Sequence, residues 1–167
     1  MLDSETSLTR KLLKTLLHYS PKTGMFTRLV ARSNRVKVGE VVGRTNDQGY
    51  LTVNIDGFHY RLHRLAWFYM TGRWPAGDID HINGNRADNR WNNLREATRS
   101  QNMANMTGGT GRSGIKGVAW NSARRLWQAQ IVVNGKCIYL GLFSDKEGAA
   151  AARREAAFKH HGSFARL

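Results

Sequence analysis

Four residues pose the first chemical question: Asp80, His81, Asn93 and Asn102, separated by 1, 12 and 9 positions. One carboxylate, one imidazole and two carboxamides can hold a single divalent cation and a general base against a phosphodiester. Each residue alone has an ordinary reading. A lone histidine is more often a surface or core residue, Asp80 reads as a turn or cap, and Asn83-Gly84-Asn85 through Asp88-Asn89 reads as a polar loop. Together they say more than they do singly.

The elements that must position them follow from the local pattern. Asp80 and His81 come after Ile79, which predicts the end of a short strand. Neighbouring strand residues point to opposite faces, so a bend into the Gly84 loop is needed for both to line one pocket. Asn93 returns on a second short segment beside His81. Ala97-Thr98 opens a helix on which Asn102 lies one turn further on. Two short strands and a helix can then grip one metal between Asp80 and Asn102.

The rest of the chain sets the context. Its 167 residues allow one ordinary domain or two small ones. Lys and Arg total 26 against 12 Asp and Glu, a net charge of +14, which favours a polyanionic partner. A ribosomal-type RNA binder or a protein touching anionic lipid would also fit that charge. No apolar run approaches the roughly 20 residues that span a bilayer, and Met1–Glu5 does not look like a signal peptide. Cys137 is the sole cysteine, which excludes an intramolecular disulfide and a multi-cysteine zinc knuckle and favours a reducing, cytoplasmic setting.

Thr107-Gly108-Gly109-Thr110-Gly111-Arg112-Ser113-Gly114 reads as a flexible linker, with four glycines in eight residues. It divides residues 1–106 from 115–167. The first part is expected to open with an amphipathic helix on Leu8, Leu12, Leu13, Leu16 and Leu17 that stops at Tyr19. Strand-like pieces follow around Met25–Val30 and Val36–Val42. Asp56-Gly57 joins Leu51–Ile55 to Phe58–Leu62 as a hairpin, and Arg64–Thr71 is a short helix ended at Gly72. In the second part Gly117–Trp120, Leu126–Val133 and Lys136–Leu140 read as strands, with a tight turn at Asn134-Gly135. A capping box at Ser144-Asp145-Lys146-Glu147 starts an alanine-rich helix over Gly148–His160.

The run Asp80-His81-Ile82-Asn83-Gly84-Asn85-Arg86, continued by Trp91-Asn92-Asn93-Leu94-Arg95 and Ser100-Gln101-Asn102, resembles the HNH endonucleases of phages and their homing relatives. The likeness covers about residues 60–106. It implies a ββα-metal fold in which His81 is the first letter of the name, Asn93 the middle one and Asn102 the last, an HNN variant. It implies His81 as general base, Asn93 orienting the imidazole, and one Mg2+ (or Mn2+) held by Asp80 and Asn102. The oxygen donors favour magnesium over zinc or nickel. Duplex DNA is the implied substrate, cut to 5′-phosphate and 3′-hydroxyl ends. Arg86, Arg90, Arg95 and Arg99 are available for flanking phosphates, with a solvated basic face as the plain alternative for at least two of them. His63, within His63-Arg64-Leu65-Ala66-Trp67, matches a segment that precedes the motif and is expected to be structural.

Lys116–Trp120, Trp127–Ile131, Tyr139–Phe143 and Glu147–Ala150 resemble the Apetala-type DNA-binding domain of plant ethylene-response factors, over about residues 115–162. That family's fold is a three-stranded antiparallel sheet, laid in the major groove and backed by one packed helix. Alternation puts Trp127, Ala129 and Ile131 on one face and Gln128, Gln130 and Val132 on the other. Gln128 and Gln130 then face DNA, where glutamine can read adenine, and Arg124, Arg125, Lys116 and Lys136 can bind phosphate. The expectation is an α+β, two-module, metal-dependent DNA endonuclease acting in a phage-infected cell. A non-catalytic sequence-specific DNA-binding regulator and an RNA binder are the other readings. The oligomeric state is open, a monomer included.

Overall fold

A computed structural model describes residues 8–31, 36–106 and 111–165. The chain is α+β, with small antiparallel sheets and four α-helices among the described residues. It falls into two compact units, Met1–Glu96 and Ala97–Leu167.

In the first unit, helix α1 (Arg10–Leu16) is capped by Thr9, whose side chain accepts from the Leu12 amide. The expected helix ends at Leu16 rather than Tyr19, because Leu17–Tyr19 becomes strand β1 and pairs with β2 (Phe26–Arg28). Sheet pairing that buries Leu17 and Tyr19 outweighs the helical periodicity of the leucines. Strand β3 (Val41–Val42) completes that sheet. The expected strand at Val36–Val42 thus shrinks to its last two residues. Strands β4 (Arg44–Thr45), β5 (Leu51–Ile55) and β6 (Phe58–Arg61) form a second sheet. Asp56 and Gly57 turn it with φ of 52° and 88°, the positive values that a two-residue hairpin demands.

Helix α2 (Leu62–Thr71) follows directly and ends at Gly72, φ 80°. Its Leu62, Leu65 and Phe68 join Leu13, Leu17, Tyr19 and Phe26 in the core. Trp74 stacks on Phe68 with ring centroids 4.3 Å apart. Strands β7 (Asp78–His81) and β8 (Leu94–Ala97) pair as a two-stranded sheet.

In the second unit, helix α3 (Arg99–Asn105) opens on a capping box in which Thr98 and Gln101 bond each other's backbone amides. The division after Glu96 therefore places Asn102 in the second unit and Asp80 in the first. Lys116 Nζ donates to the carbonyls of Met103, Ala104 and Met106 at 2.7–3.0 Å, tying the end of α3 into this unit. Of the expected linker, residues 107–110 lie outside the described residues. Gly111–Ser113 forms one 3-10 turn with Ser113 buried, its hydroxyl 2.6 Å from the Val118 carbonyl.

Strands β9 (Val118–Asn121), β10 (Leu126–Val133) and β11 (Lys136–Phe143) follow, with β10 central. Helix α4 (Lys146–His161) covers one face, burying Ala149, Ala156 and Ala157. Its N-cap is Asp145, which accepts from the Gly148 amide at 2.7 Å, so the expected capping box on Ser144 gives way to a single Asp cap one residue later. Strand β11 runs three residues beyond the expected Leu140. A bulge at Leu140 lets Ala129 face Gly141 while Gln130 faces Tyr139.

Candidate active site

The site is built on the end of β7 and the loop from Ile82 to Arg90. Asp80 and His81 are both buried, each only 4% exposed. As alternation requires, they meet different partners. Asp80 Oδ2 accepts from Arg95 Nε at 2.8 Å, on the paired strand β8. His81 turns toward His63 and Tyr50, with ring centroids 5.0 and 6.1 Å away.

The imidazole is fixed by Asn89. His81 Nε2 lies 3.1 Å from Asn89 Oδ1, in a buried contact. With that oxygen as acceptor, Nε2 carries the proton and Nδ1 is the basic nitrogen. Burial lowers the His81 pKa, opposed by the Asn89 bond and by Asp80 and Asp88. His63 is driven further below its ordinary value, first by burial and then by His81 itself, so both rings favour the neutral form.

Asn89 is in turn locked from the N-terminal part of the unit. The Tyr19 hydroxyl donates to the Asn89 carbonyl at 2.7 Å, and the Trp91 amide donates to the Pro21 carbonyl at 3.0 Å. Gly24 lies against the same backbone: a Cβ there would sit 2.5 Å from the Asn89 carbonyl carbon and the Arg90 nitrogen. The polar loop is thus seated on residues 19–24, about 70 positions earlier in the chain.

Asn93 has a different task from the one the motif suggested. Its Oδ1 accepts from the Asn83 amide at 3.0 Å, and its Nδ2 donates to Asn83 Oδ1 and to the Asp88 carbonyl. Asn93 closes the loop across its mouth, and the carboxamide on the imidazole is that of Asn89. A buried carboxamide satisfies backbone donor and acceptor together, which a loop crossing back on itself requires. Asn83 also donates to Asp88, and Asn85 accepts from Ala87, so the loop is held by its own side chains.

The arginines divide. Arg90 forks onto Asp88 at 2.8 and 2.6 Å, and this ion pair draws the Asp88 carboxyl down to about 2. Arg95 is taken by Asp80. These two, offered to phosphate by the sequence, are engaged within the protein. Arg86 donates to the Gln48 carbonyl at 2.7 Å and lies over the Tyr50 ring, which Arg61 also contacts. Neither Arg61 nor Tyr50 was singled out by the motif. Their signal was available only as a hairpin neighbouring a basic residue.

Asn102, on α3, is half-buried, and Arg99 is exposed at the start of that helix. On the sheet of the second unit, Gln130 is exposed and Gln128 half-buried, opposite the buried face of Ala129 and Ile131. Asn121 Nδ2 donates to Gln128 Oε1 at 3.2 Å. Arg124 and Arg125 are exposed in the β9–β10 turn, Arg125 with φ 54°. Lys116 is bound to the carbonyls of α3 and is not offered to a phosphate.

Asp80 offers a carboxylate oxygen and Asn102 a carboxamide oxygen, donor types that a hard cation takes. Among the described residues no three His, Cys, Asp or Glu side chains cluster as a metal site. No helix of the described residues is long and apolar enough to cross a membrane.

The chain is similar to several known proteins. Protein 3.8 of Escherichia phage T7 is 37% identical over 78 residues, which are 46% of this chain and 64% of that protein. The chain thus spans just under two thirds of that relative's length. A solved structure of DNA binding and cleavage by the HNH homing endonuclease I-HmuI aligns with 87% of this chain and 85% of its own, at 20% identity and a TM-score of 0.41. Residues 60–104, the stretch holding Asp80, His81, Asn89, Asn93 and Asn102, match the family described as HNH endonuclease.

Proposed function

We propose that the chain is a metal-dependent DNA endonuclease with His81 as its general base. The observation that carries this reading is the buried imidazole held through Nε2 by Asn89, beside a buried carboxylate, within the stretch that matches the HNH endonucleases. His81 Nδ1 accepts a proton from the attacking water, while Asn89 keeps the other nitrogen protonated and the ring oriented. Asp80 and Asn102 would hold one Mg2+, which when bound supplies positive charge to the phosphate and the departing 3′ oxygen. Arg95 holds Asp80 in place. Asn93 keeps the loop closed so that His81 and Asp80 stay in register.

Placement on duplex DNA falls to the second unit, whose sequence carries the resemblance to the Apetala-type domain. Gln128 and Gln130 would meet base edges, and Arg124 and Arg125, with Arg86 and Arg99, would meet phosphates. The setting is the cytoplasm of a phage-infected cell.

The test is supercoiled plasmid incubated with the protein in Mg2+. Open circles or linear molecules are expected from the native chain, and no cutting in EDTA. The variant His81→Ala is expected to retain DNA binding and lose about 10²–10⁴-fold in cleavage rate, the usual contribution of a general base. Near-native cutting by that variant removes His81 from the mechanism; cutting in EDTA removes the metal.

A further inference from the structure

Helix α4 carries one residue that its packing face does not explain. Ala149, Ala156 and Ala157 form the buried stripe, and Arg153 lies on the same stripe, four residues after Ala149. Arg153 is only 6% exposed, and its Nε is buried with no hydrogen-bond partner. Burial is the sole influence lowering its pKa; no carboxylate among the described residues offsets it. A buried guanidinium without a counter-ion is costly, and such charges are normally paired or hold a ligand. The fold makes room for it: a Cβ on Gly117 would lie 2.9 Å from Arg153 Nε and 2.3 Å from the Gln130 carbonyl oxygen.

Arg153 lines a cavity of about 740 Å3 lying wholly within the second unit. That volume matches sites for organic ligands, and exceeds what a bare oxyanion fills. Arg99, Lys116 and His161 line it as well, and no Asp or Glu among the described residues does. Lys116 is held by backbone carbonyls, so it adds positive field rather than a free donor. His161 is buried and depressed by that burial and by Arg153 beside it. The walls are apolar, from Met103, Ile131 and Val132. A basic end and apolar sides call for an anion carried on a flat organic body.

We propose that this cavity binds a nucleoside phosphate, the phosphate on the Arg153 guanidinium and the base between Met103 and Val132. The guanidinium fork presents two donors to two phosphate oxygens, and the apolar walls accept a ring. This inference stands on the second unit alone and is independent of cleavage. The ligand has two chemical sources, a free mononucleotide or the 5′-phosphorylated end of a strand.

Full-length protein is titrated with thymidine 5′-monophosphate, thymidine, inorganic phosphate and a 5′-phosphorylated thymidine hexanucleotide. Binding is read by calorimetry and by the NMR resonance of the Arg153 Nε–H. The monophosphate is expected to bind saturably and shift that resonance, with thymidine and phosphate each weaker by about tenfold or more. Arg153→Met is expected to weaken the monophosphate by at least about tenfold, and Met103→Trp, which narrows the cavity and keeps the charge, to weaken it as well. A hexanucleotide that shifts the same resonance at lower concentration supports the site and identifies a strand end as the ligand; equal or weaker binding supports it with the free nucleotide. No shift at millimolar monophosphate, undiminished binding by Arg153→Met, or phosphate binding as tightly as the nucleotide overturns the proposal. Should Arg153→Met fail to fold, the native Nε–H shift and Met103→Trp decide.

Discussion

The two units treat positive charge in opposite ways. Around the loop of the first, each of three arginines meets a carboxylate: Arg95 on Asp80 at 2.8 Å, Arg90 on Asp88 at 2.6 Å, Arg73 on Glu96 at 2.9 Å. In the second, Lys116 is spent on three carbonyls and Arg153 is buried with no acid beside it among the described residues. Residues 97–167 hold eleven Lys and Arg against three Asp and Glu, so there are few acids to share. A neutralised arginine positions other groups. An arginine left without an acid keeps its field for something that arrives from outside.

The sharpest way to break this contrast is Arg95→Met. It leaves the buried Asp80 carboxylate without its cation and is expected to cost about 3–5 kcal/mol in chemical denaturation. An unchanged midpoint would mean that the pair is not what settles Asp80. Next comes Gly24→Ala, where φ is 74° and the new methyl meets the Asn89–Arg90 backbone at 2.5 Å. More than about 1 kcal/mol of lost stability is expected, with slower cleavage as Asn89 is pushed from His81. Native stability accompanied by native cleavage would show that residues 19–24 do not seat the loop.

A smaller effect is expected from acid. The Asp88 carboxyl titrates at about 2 in the fold, below its ordinary value near 3.9 when unfolded. Its contribution is therefore complete above the unfolded value and drains away as pH falls from about 4 toward 2. Asp88→Asn should flatten the stability profile in that window; an unaltered profile would free Arg90 from its structural part. Least of all should Arg153→Met change stability, since it exchanges an unpaired buried cation for an apolar chain of similar length. A marked loss on denaturation would make Arg153 a structural residue like Arg95 and erase the contrast.

The parts of the fold legible in the sequence are those decided within a few residues. Asp56-Gly57 and Asn134-Gly135 turn where they were expected, because few other pairs accept positive φ at both positions. The strand before His81 and the helix after Thr98 were likewise visible from residue types and spacing. The support of the His81 ring was not. Asn89 reads as one more loop asparagine until the fold brings Tyr19 and Gly24 beneath it. Asn93, the middle letter of the motif, closes the loop instead of touching the ring, a distinction between two buried carboxamides that spacing does not encode. Arg153 was hidden for a similar reason: among so many alanines every face of α4 looks packable, so periodicity does not reveal which side chain is buried.

The extra residue in β11 gives one side chain two clusters to serve. Up to Tyr139 the side chains keep one phase, and from Gly141 they keep the other, with Leu140 reaching both small apolar clusters beneath α4. Exchanging Leu140 for another aliphatic leaves both phases intact. Deleting it would rejoin them in one regular ladder, with Gly141 still opposite Ala129 and Phe143 still opposite Trp127, and would take from both clusters the side chain they share. Among relatives, position 140 should therefore hold an aliphatic residue or be missing, and should not be polar.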